Sequence, residues 1–479
     1  MKLIRVILLL SPFLILSAFS LFNEEEDLMN TVKRELKALQ QEKKMQGAAL
    51  GMSIWDASTG KEVMSYRSEE AMAPASVMKL VTTSTALRIL GADFRFKTTI
   101  ATDGSIDANG VLNGNLYLIG GGDPQLDSMD LALINWDSLG IQKINGAVVG
   151  DARIFATQQV PSTWVWQDLG NYYGTGASGL SFNENQYALY FSSKGPGMPT
   201  KVVGVEPQVP QITFFNEVVG GKVGSGDNAY IYGSPYSYEK YLRGTITPYR
   251  DRFKIKGSVP DPAFWAAWTL HDLLIKKGIS IEGKPTTCRL SPELTPTELT
   301  TLSEVQSAPL HEIVKETNQK SVNLFAEVML KMIGYQKKNE GTTAAGAEAV
   351  EEYWESQGLS LNGFFMEDGS GLSRFNAVPP ALMSQIILKM KYSEEYDAFF
   401  ESLAVSGESG TFKYLCKGET AHGRVFGKSG TVKRVKCYAG IIKSASGKEW
   451  VFTIMANNYG LKTRSLVQRM EEIFNLLAS

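Results

Sequence analysis

The chain has 479 residues, 43% of them hydrophobic and 20% charged, with a formal net charge of −2. That size and composition describe two or three globular domains with real cores, and the charge balance gives no footprint for a nucleic-acid partner. The three cysteines, Cys288, Cys416 and Cys437, exclude a disulfide framework. At least one thiol has no partner within the chain; Cys416 and Cys437 could pair, and the sequence leaves that open. No two cysteines have metal-ligand spacing, and His271, His311 and His422 stand apart, so no zinc site is expected.

Residues 1–20 read as a secretory signal peptide. Lys2 and Arg5 precede an apolar run from Val6 to Leu16, and Ala18-Phe19-Ser20 supplies small residues for cleavage. An uncleaved anchor helix is the alternative, although the run is short for a membrane span. No other segment is long and apolar enough to cross, so at most peripheral membrane association is expected.

Residues 25–43 have the periodicity of an amphipathic helix. Ala48 to Ile54 and Lys61 to Tyr66 read as strands paired around the turn Asp56-Ala57-Ser58-Thr59-Gly60. From Ser76 to Leu90, Val77, Leu80, Val81, Ala86 and Leu87 recur at helical spacing, between Pro74 and Gly91. Residues 94–290 are rich in short strands and glycine turns, including Phe96 to Ala101, Gly114 to Ile119 and Ile144 to Val149. A helix opened by Asp261-Pro262 ends at Gly278. This stretch reads as an inserted domain, with a smaller nested domain at about 185–258. Helical patterns return at 309–334, 342–357 and 379–391. Alternating runs follow at 424–443 and 449–457, then an amphipathic helix from Thr463 to Leu477. Residues 24–93 and 291–479 therefore form one α/β (α+β) domain, an antiparallel sheet flanked by helices and interrupted by the insertion.

Ser76 and Lys79 open the first long helix. A serine there sits where unpaired N–H groups and the positive end of the helix dipole point, and a lysine three residues on shares its face. These are the parts of a lysine-activated serine nucleophile; an ordinary capping serine with a solvated lysine is the plainer reading. Ser58/Lys61 and Ser237/Lys240 repeat the spacing, but neither opens a helix. Gly174-Thr175-Gly176-Ala177-Ser178-Gly179 matches a dinucleotide loop without the strand before it or the helix after it. Ser-x-Asn occurs at Ser181/Asn183, Ser321/Asn323 and Ser360/Asn362, and only Ser321 interrupts a helical run. Lys428-Ser429-Gly430-Thr431 lies in a strand-like run, where Gly430 allows a close approach of backbone or ligand. Lys433, Arg434 and Lys436 read as the solvated face of an edge strand.

Ser76-x-x-Lys79, Ser321-x-Asn323 and Lys428-Ser429-Gly430, in that order, resemble the signature motifs of penicillin-binding proteins and serine β-lactamases. About 245 residues separate the first two motifs and about 107 the last two. The long insertion after the nucleophile helix resembles the class C low-molecular-mass penicillin-binding proteins, D-alanyl-D-alanine carboxypeptidases and endopeptidases. Leu118-Ile119-Gly120-Gly121-Gly122-Asp123-Pro124, Leu180-Ser181-Phe182-Asn183-Glu184-Asn185 and Asp368-Gly369-Ser370-Gly371-Leu372-Ser373 support it. Ser429 stands where the family commonly has threonine, and keeps the hydroxyl.

The resemblance implies a secreted, periplasmic enzyme acting on peptidoglycan peptides and acylated by β-lactams, with no metal or cofactor. It makes Ser76 the nucleophile and Lys79 its base, with Lys79 lowered by burial and by Lys428. Ser321 becomes the proton relay and Asn323 the holder of the substrate amide. Lys428 and Ser429 hold the terminal carboxylate, and the N–H groups of Ser76 and Thr431 form the oxyanion hole. A β-lactamase of the same fold and a secreted, non-catalytic peptidoglycan-binding module are the alternatives.

Overall fold

The computed structural model describes residues 24–479; the expected signal peptide lies outside the described residues. Contacts divide the chain into two units. One runs to Leu80 and resumes at Leu359–Phe365 and Asn376–Ser479; the other is Val81–Gly358 with Met366–Phe375.

The first unit is built on a six-stranded antiparallel sheet. Its order is Ala404–Val405, Val425–Val432, Val435–Lys443, Glu449–Asn457, Ala49–Asp56 and Lys61–Tyr66. The first long strand of the chain thus lies beside the last, in register from Ala49 opposite Asn457 to Asp56 opposite Trp450. Alternation sets the two faces. Phe452, Ile454 and Ala456, with Met52 and Ile54, pack on Val32 and Leu36 of helix 24–41 and on Met470 and Phe474 of helix Thr463–Ala478. Thr453 points the other way and accepts a 2.9 Å bond from Ser384 of helix Pro380–Lys391. The hairpin turn after Asp56 is an Asx turn: Asp56 Oδ1 accepts from the N–H groups of Ser58 (2.7 Å) and Thr59 (3.1 Å) and from the Ser58 hydroxyl (2.6 Å). Ser58 is therefore a turn residue.

The second unit carries the rest of helix Met78–Leu90, the strand-rich region and three further helices. A five-stranded mixed sheet has the order Thr286–Thr287, Val148–Asp151, Leu116–Gly120, Lys97–Thr102 and Thr300–Gln306. The expected strand Ile144 to Val149 is in fact two, Lys143–Ile144 and Val148–Asp151, in different sheets. Gly146 turns the chain between them; a Cβ there would lie 2.4 Å from the Gly114 carbonyl oxygen. Between Gln186 and Ser258 the strands pair with one another, in a three-stranded and a four-stranded sheet, apart from an isolated bridge of Gly257 to Asn171, among the described residues. Helix Pro262–Lys276 starts as its sequence says: the Asp261 side chain caps the Phe264 N–H at 3.1 Å and Pro262 is the first helical residue.

The division by contacts does not fall at residues 94 and 290. Helices Leu310–Lys320, Asn323–Lys338 and Thr343–Ser356 group with the strand-rich region, held by polar groups of the long helix. Asn318 Nδ2 donates to Thr83 Oγ1 at 3.3 Å, Trp354 Nε1 to Thr85 Oγ1 at 2.9 Å, and Thr82 Oγ1 to the Gly369 carbonyl at 2.7 Å.

Phe474 sits between Tyr438 and Phe452, with ring centroids 5.6 and 5.2 Å away. Phe474→Ala is expected to destabilise the first unit by about 3–5 kcal/mol, the range for emptying a buried aromatic site. Chemical denaturation followed by tryptophan fluorescence measures this; an unchanged midpoint would contradict the packing described.

Candidate active site

Ser76 lies in the middle of a 3-10 turn, Ala75–Val77, that runs directly into helix Met78–Leu90. It is not a helix cap; Pro74 occupies that position and no side chain caps the turn. Ala75 has φ +46°, left-handed and unfavourable for a residue with a Cβ by about 1 kcal/mol. Neighbouring strands hold the chain in that shape. Asn457 Oδ1 accepts the Ala73 N–H at 2.7 Å, and Asn457 Nδ2 donates to the Ala73 carbonyl at 3.1 Å. The Cys437 thiol donates to the same carbonyl at 3.5 Å. At Gly430 an added Cβ would lie 2.5 Å from the Pro74 carbonyl oxygen and 3.0 Å from the Ser76 nitrogen. Glycine there lets strand Val425–Val432 close on the Ser76 turn. Lys79, one helical turn beyond, is fully buried and donates from Nζ to Ser76 Oγ at 3.2 Å.

The strand brings three more candidates. Lys428 is fully buried and donates to the Ser429 carbonyl at 2.9 Å. Burial, then the charges of Lys79 and Lys436, hold its ammonium well below the ordinary lysine range. Strand Ala404–Val405 covers only Gly427 and Phe426. From Lys428 onward the outer edge of the strand has no strand neighbour among the described residues, so an extended peptide can lie along it. By alternation, Lys428 and Gly430 share one face, while Ser429 and Thr431 share the other with Lys436 and Tyr438, their register partners.

Lys436 does not lie on a solvated edge. Its strand, Val435–Lys443, is interior, between Val425–Val432 and Glu449–Asn457, and the residue is 8% exposed. Lys433 and Arg434 are exposed, but they form the two-residue turn of the hairpin, with Arg434 at φ +64°. Ser76, Lys79, Lys428, Ser429 and Thr431 are thus gathered in the first unit.

Ser321 and Asn323 belong to the second unit. Ser321 ends helix Leu310–Lys320 in a left-handed conformation, φ +62°, and Asn323 begins helix Asn323–Lys338. The helical pattern over 309–334 is interrupted at Ser321, as the sequence indicates. Asn323 Nδ2 donates to the Tyr173 carbonyl at 2.7 Å. Of the other Ser-x-Asn serines, Ser181 is a buried turn residue that donates to the Ser178 carbonyl at 3.1 Å.

Two buried carboxylates in the same unit organise the 368–373 loop. Glu327, one turn after Asn323, accepts from the N–H groups of Gly369 (3.2 Å) and Ser370 (2.8 Å). Asp368 accepts from Gly371 (2.6 Å), Ser373 (2.5 Å) and Trp164 Nε1 (2.7 Å). Burial, and then the Asp368 charge, push Glu327 well above the usual carboxylate range. Lys331, one turn further, donates to the carbonyls of Gln158 (2.7 Å) and Ala177 (3.0 Å), and burial lowers it to about 8. Glu327 and Asn457 carried no reading from the sequence, and Lys436 read there as solvated. Glu327 and Lys331 did leave a signal, charges four apart in an otherwise apolar helical run.

A seryl hydroxyl in a strained turn, a buried lysine bonded to it and a Lys-Ser-Gly strand closed on the turn define a serine hydrolase of the penicillin-binding type. The chain belongs to the D-Ala-D-Ala carboxypeptidase 3 (S13) family, whose model matches residues 32–479. It is 27% identical over 445 residues to the D-alanyl-D-alanine carboxypeptidase of an Actinomadura species, covering 90% of this chain and 82% of that one. It is 26% identical over 452 residues to the D-alanyl-D-alanine carboxypeptidase DacB of Haemophilus influenzae, covering 90% and 91%. The crystal structure of penicillin binding protein 4 from H. influenzae is similar with a TM-score of 0.81 at 25% identity, covering 94% of this chain and 99% of that one. A predatory endopeptidase of Bdellovibrio bacteriovorus shares the fold, with a TM-score of 0.52 at 18% identity, covering 90% and 93%. The protein is accordingly a low-molecular-mass penicillin-binding serine DD-peptidase.

Gly430→Ala should separate the strand from the Ser76 turn and slow acylation by penicillin about 100-fold, as sub-ångström misplacement does. Stopped-flow labelling measures it, and a wild-type rate would contradict the close approach. The proton on Glu327 gives a second expectation. Its raised value means the folded chain keeps a proton that the unfolded chain releases above roughly pH 4.3, so stability falls as pH rises from there. Glu327→Gln should flatten that fall between roughly pH 5 and 8; parallel denaturation midpoints for variant and wild type would refute it.

Proposed function

We propose that this protein removes terminal D-alanine from peptidoglycan stem peptides through an acyl-enzyme on Ser76. The observation that carries the reading is the 3.2 Å bond from Lys79 Nζ to Ser76 Oγ in a turn fixed by its neighbours. Ser76 Oγ attacks the carbonyl of the penultimate D-alanine and Lys79 takes its proton. To act as a base Lys79 must be neutral, and complete burial beside the Lys428 charge works in that direction. The N–H groups of Ser76 and Thr431 stabilise the oxyanion; losing such a donor typically costs about 100- to 1,000-fold.

Lys428 and Ser429 hold the terminal carboxylate. In the free protein burial and the charges of Lys79 and Lys436 disfavour the Lys428 ammonium, and a bound carboxylate favours it. Ser321 passes a proton to the leaving D-alanine and Asn323 holds the substrate amide, the roles that the motif resemblance gives them. Water then releases the shortened peptide. A β-lactam acylates Ser76 and leaves slowly. Export to the periplasm, directed by a signal peptide over residues 1–20, belongs to the same proposal, supported by the basic start and apolar run of that segment.

Brief exposure to benzylpenicillin followed by peptide mapping tests the nucleophile: one stable adduct on Ser76 is expected, and none in Ser76→Ala, which should also lose all peptidase turnover. Labelling retained in that variant would sink the assignment. Antibiotic hydrolysed without an adduct would make the protein a β-lactamase, and antibiotic left intact would make it a binding module. Digestion of purified sacculi separates the peptidase activities. Free D-alanine is the expected product, and loss of cross-linked dimers would show endopeptidase action.

A further inference from the structure

Lys436 is a buried cation that the mechanism above leaves without a task. It stands directly across from Thr431 in the hairpin. Its Nζ donates to Thr431 Oγ1 at 2.9 Å and lies 4.3 Å from the centre of the Tyr438 ring. No carboxylate pairs with it among the described residues. An ammonium buried without a counter-ion is costly, and burial lowers this one to about 8. The charged and titratable groups around it are Lys428 on the facing strand and Cys437 and Tyr438 on its own; across on the third strand is Ala456, which has no charge. Nothing in that set balances a cation.

The direction of the bond matters. An ammonium has only donors, so Thr431 Oγ1 is used as an acceptor and the hydroxyl hydrogen is left to point elsewhere. Thr431 is exposed, on the strand edge that has no strand neighbour among the described residues, and shares its face with Ser429 two residues back. A hydroxyl polarised by a buried cation is a stronger donor than a free one.

We propose that Lys436 is a positioning residue for the substrate's terminal carboxylate: it turns the Thr431 hydroxyl outward as a donor and stands behind it as the cation that the carboxylate neutralises. This rests on the DD-peptidase reading and adds to it a second recognition element beside Lys428 and Ser429. The ligand class is a peptide ending in a free carboxylate, with penicillin's carboxylate as its mimic.

Steady-state hydrolysis of an N-acylated peptide ending in D-Ala-D-Ala tests the inference. Lys436→Met is expected to raise KM about tenfold with kcat nearly unchanged, the effect of losing a charge-assisted bond made to substrate. Thr431→Val, which keeps the Thr431 backbone N–H, should raise KM to a similar extent, and the double variant should be no worse than about either single one, because both remove one device. Lys436→Arg should restore most of the affinity, and should keep KM low above roughly pH 8, where a lysine at this site loses its charge and an arginine does not. An unchanged KM in Lys436→Met would overturn the proposal. So would losses that multiply in the double variant, or a fall in kcat that tracks a fall in the thermal midpoint and is not repaired by arginine. Wild-type protein that neither cleaves the peptide nor takes up a fluorescent penicillin would overturn the DD-peptidase reading itself, and this inference with it, before any variant is made.

Discussion

The chemistry of the first unit depends on one close approach. Strand Val425–Val432 lies so near the turn Ala75–Val77 that only a hydrogen fits at Gly430. That contact brings the Lys428 segment to Ser76, and it requires the turn to keep an unfavourable left-handed Ala75. The amide of Asn457 grips Ala73 by both its N–H and its carbonyl, so the strain is held by a side chain anchored in the sheet. Backbone shape, strand position and nucleophile therefore stand or fall together.

Buried charge is the second theme, and the two units handle it differently. In the second unit Glu327, Lys331 and Asp368 are satisfied by backbone groups: carboxylates take N–H donors and the ammonium takes carbonyls. Such groups fix loops and demand no ligand. In the first unit three lysines, Lys79, Lys428 and Lys436, are buried; burial and like charge hold Lys428 below the ordinary range and burial lowers Lys436. A cluster of one sign is unstable in isolation and suited to an anionic guest.

Much of this was legible in the sequence. The helix opened by Asp261-Pro262, the helical pattern over 379–391 and the strands at both chain ends follow from local chemistry: periodicity, capping and turn residues; the motif residues were legible only as a resemblance. What escaped had non-local causes. Nothing near Asn457 says that its amide clasps a residue 384 positions away. Lys436 was placed in solvent because two basic neighbours precede it, yet those two form a turn while Lys436 belongs to an interior strand. A capping role, the plainer alternative for Ser76, fails because Pro74 takes that position and Ser76 is the middle residue of the turn. The strand expected from Ile144 to Val149 failed at Gly146, where the neighbouring Gly114 backbone leaves no room for a side chain.

The sheet order has a consequence for how the molecule comes into being. Ala49–Asp56 completes its pairing only with Glu449–Asn457, and the helix at residues 24–41 shares its core with Thr463–Ala478. A ribosome delivers the first partner long before the second, so the opening segment must wait for nearly the whole chain. Pairings across such separations close slowly, and the waiting strand is exposed to aggregation meanwhile. A protein wired in this way suits synthesis in which the early segment is kept extended until the C-terminal helix is available.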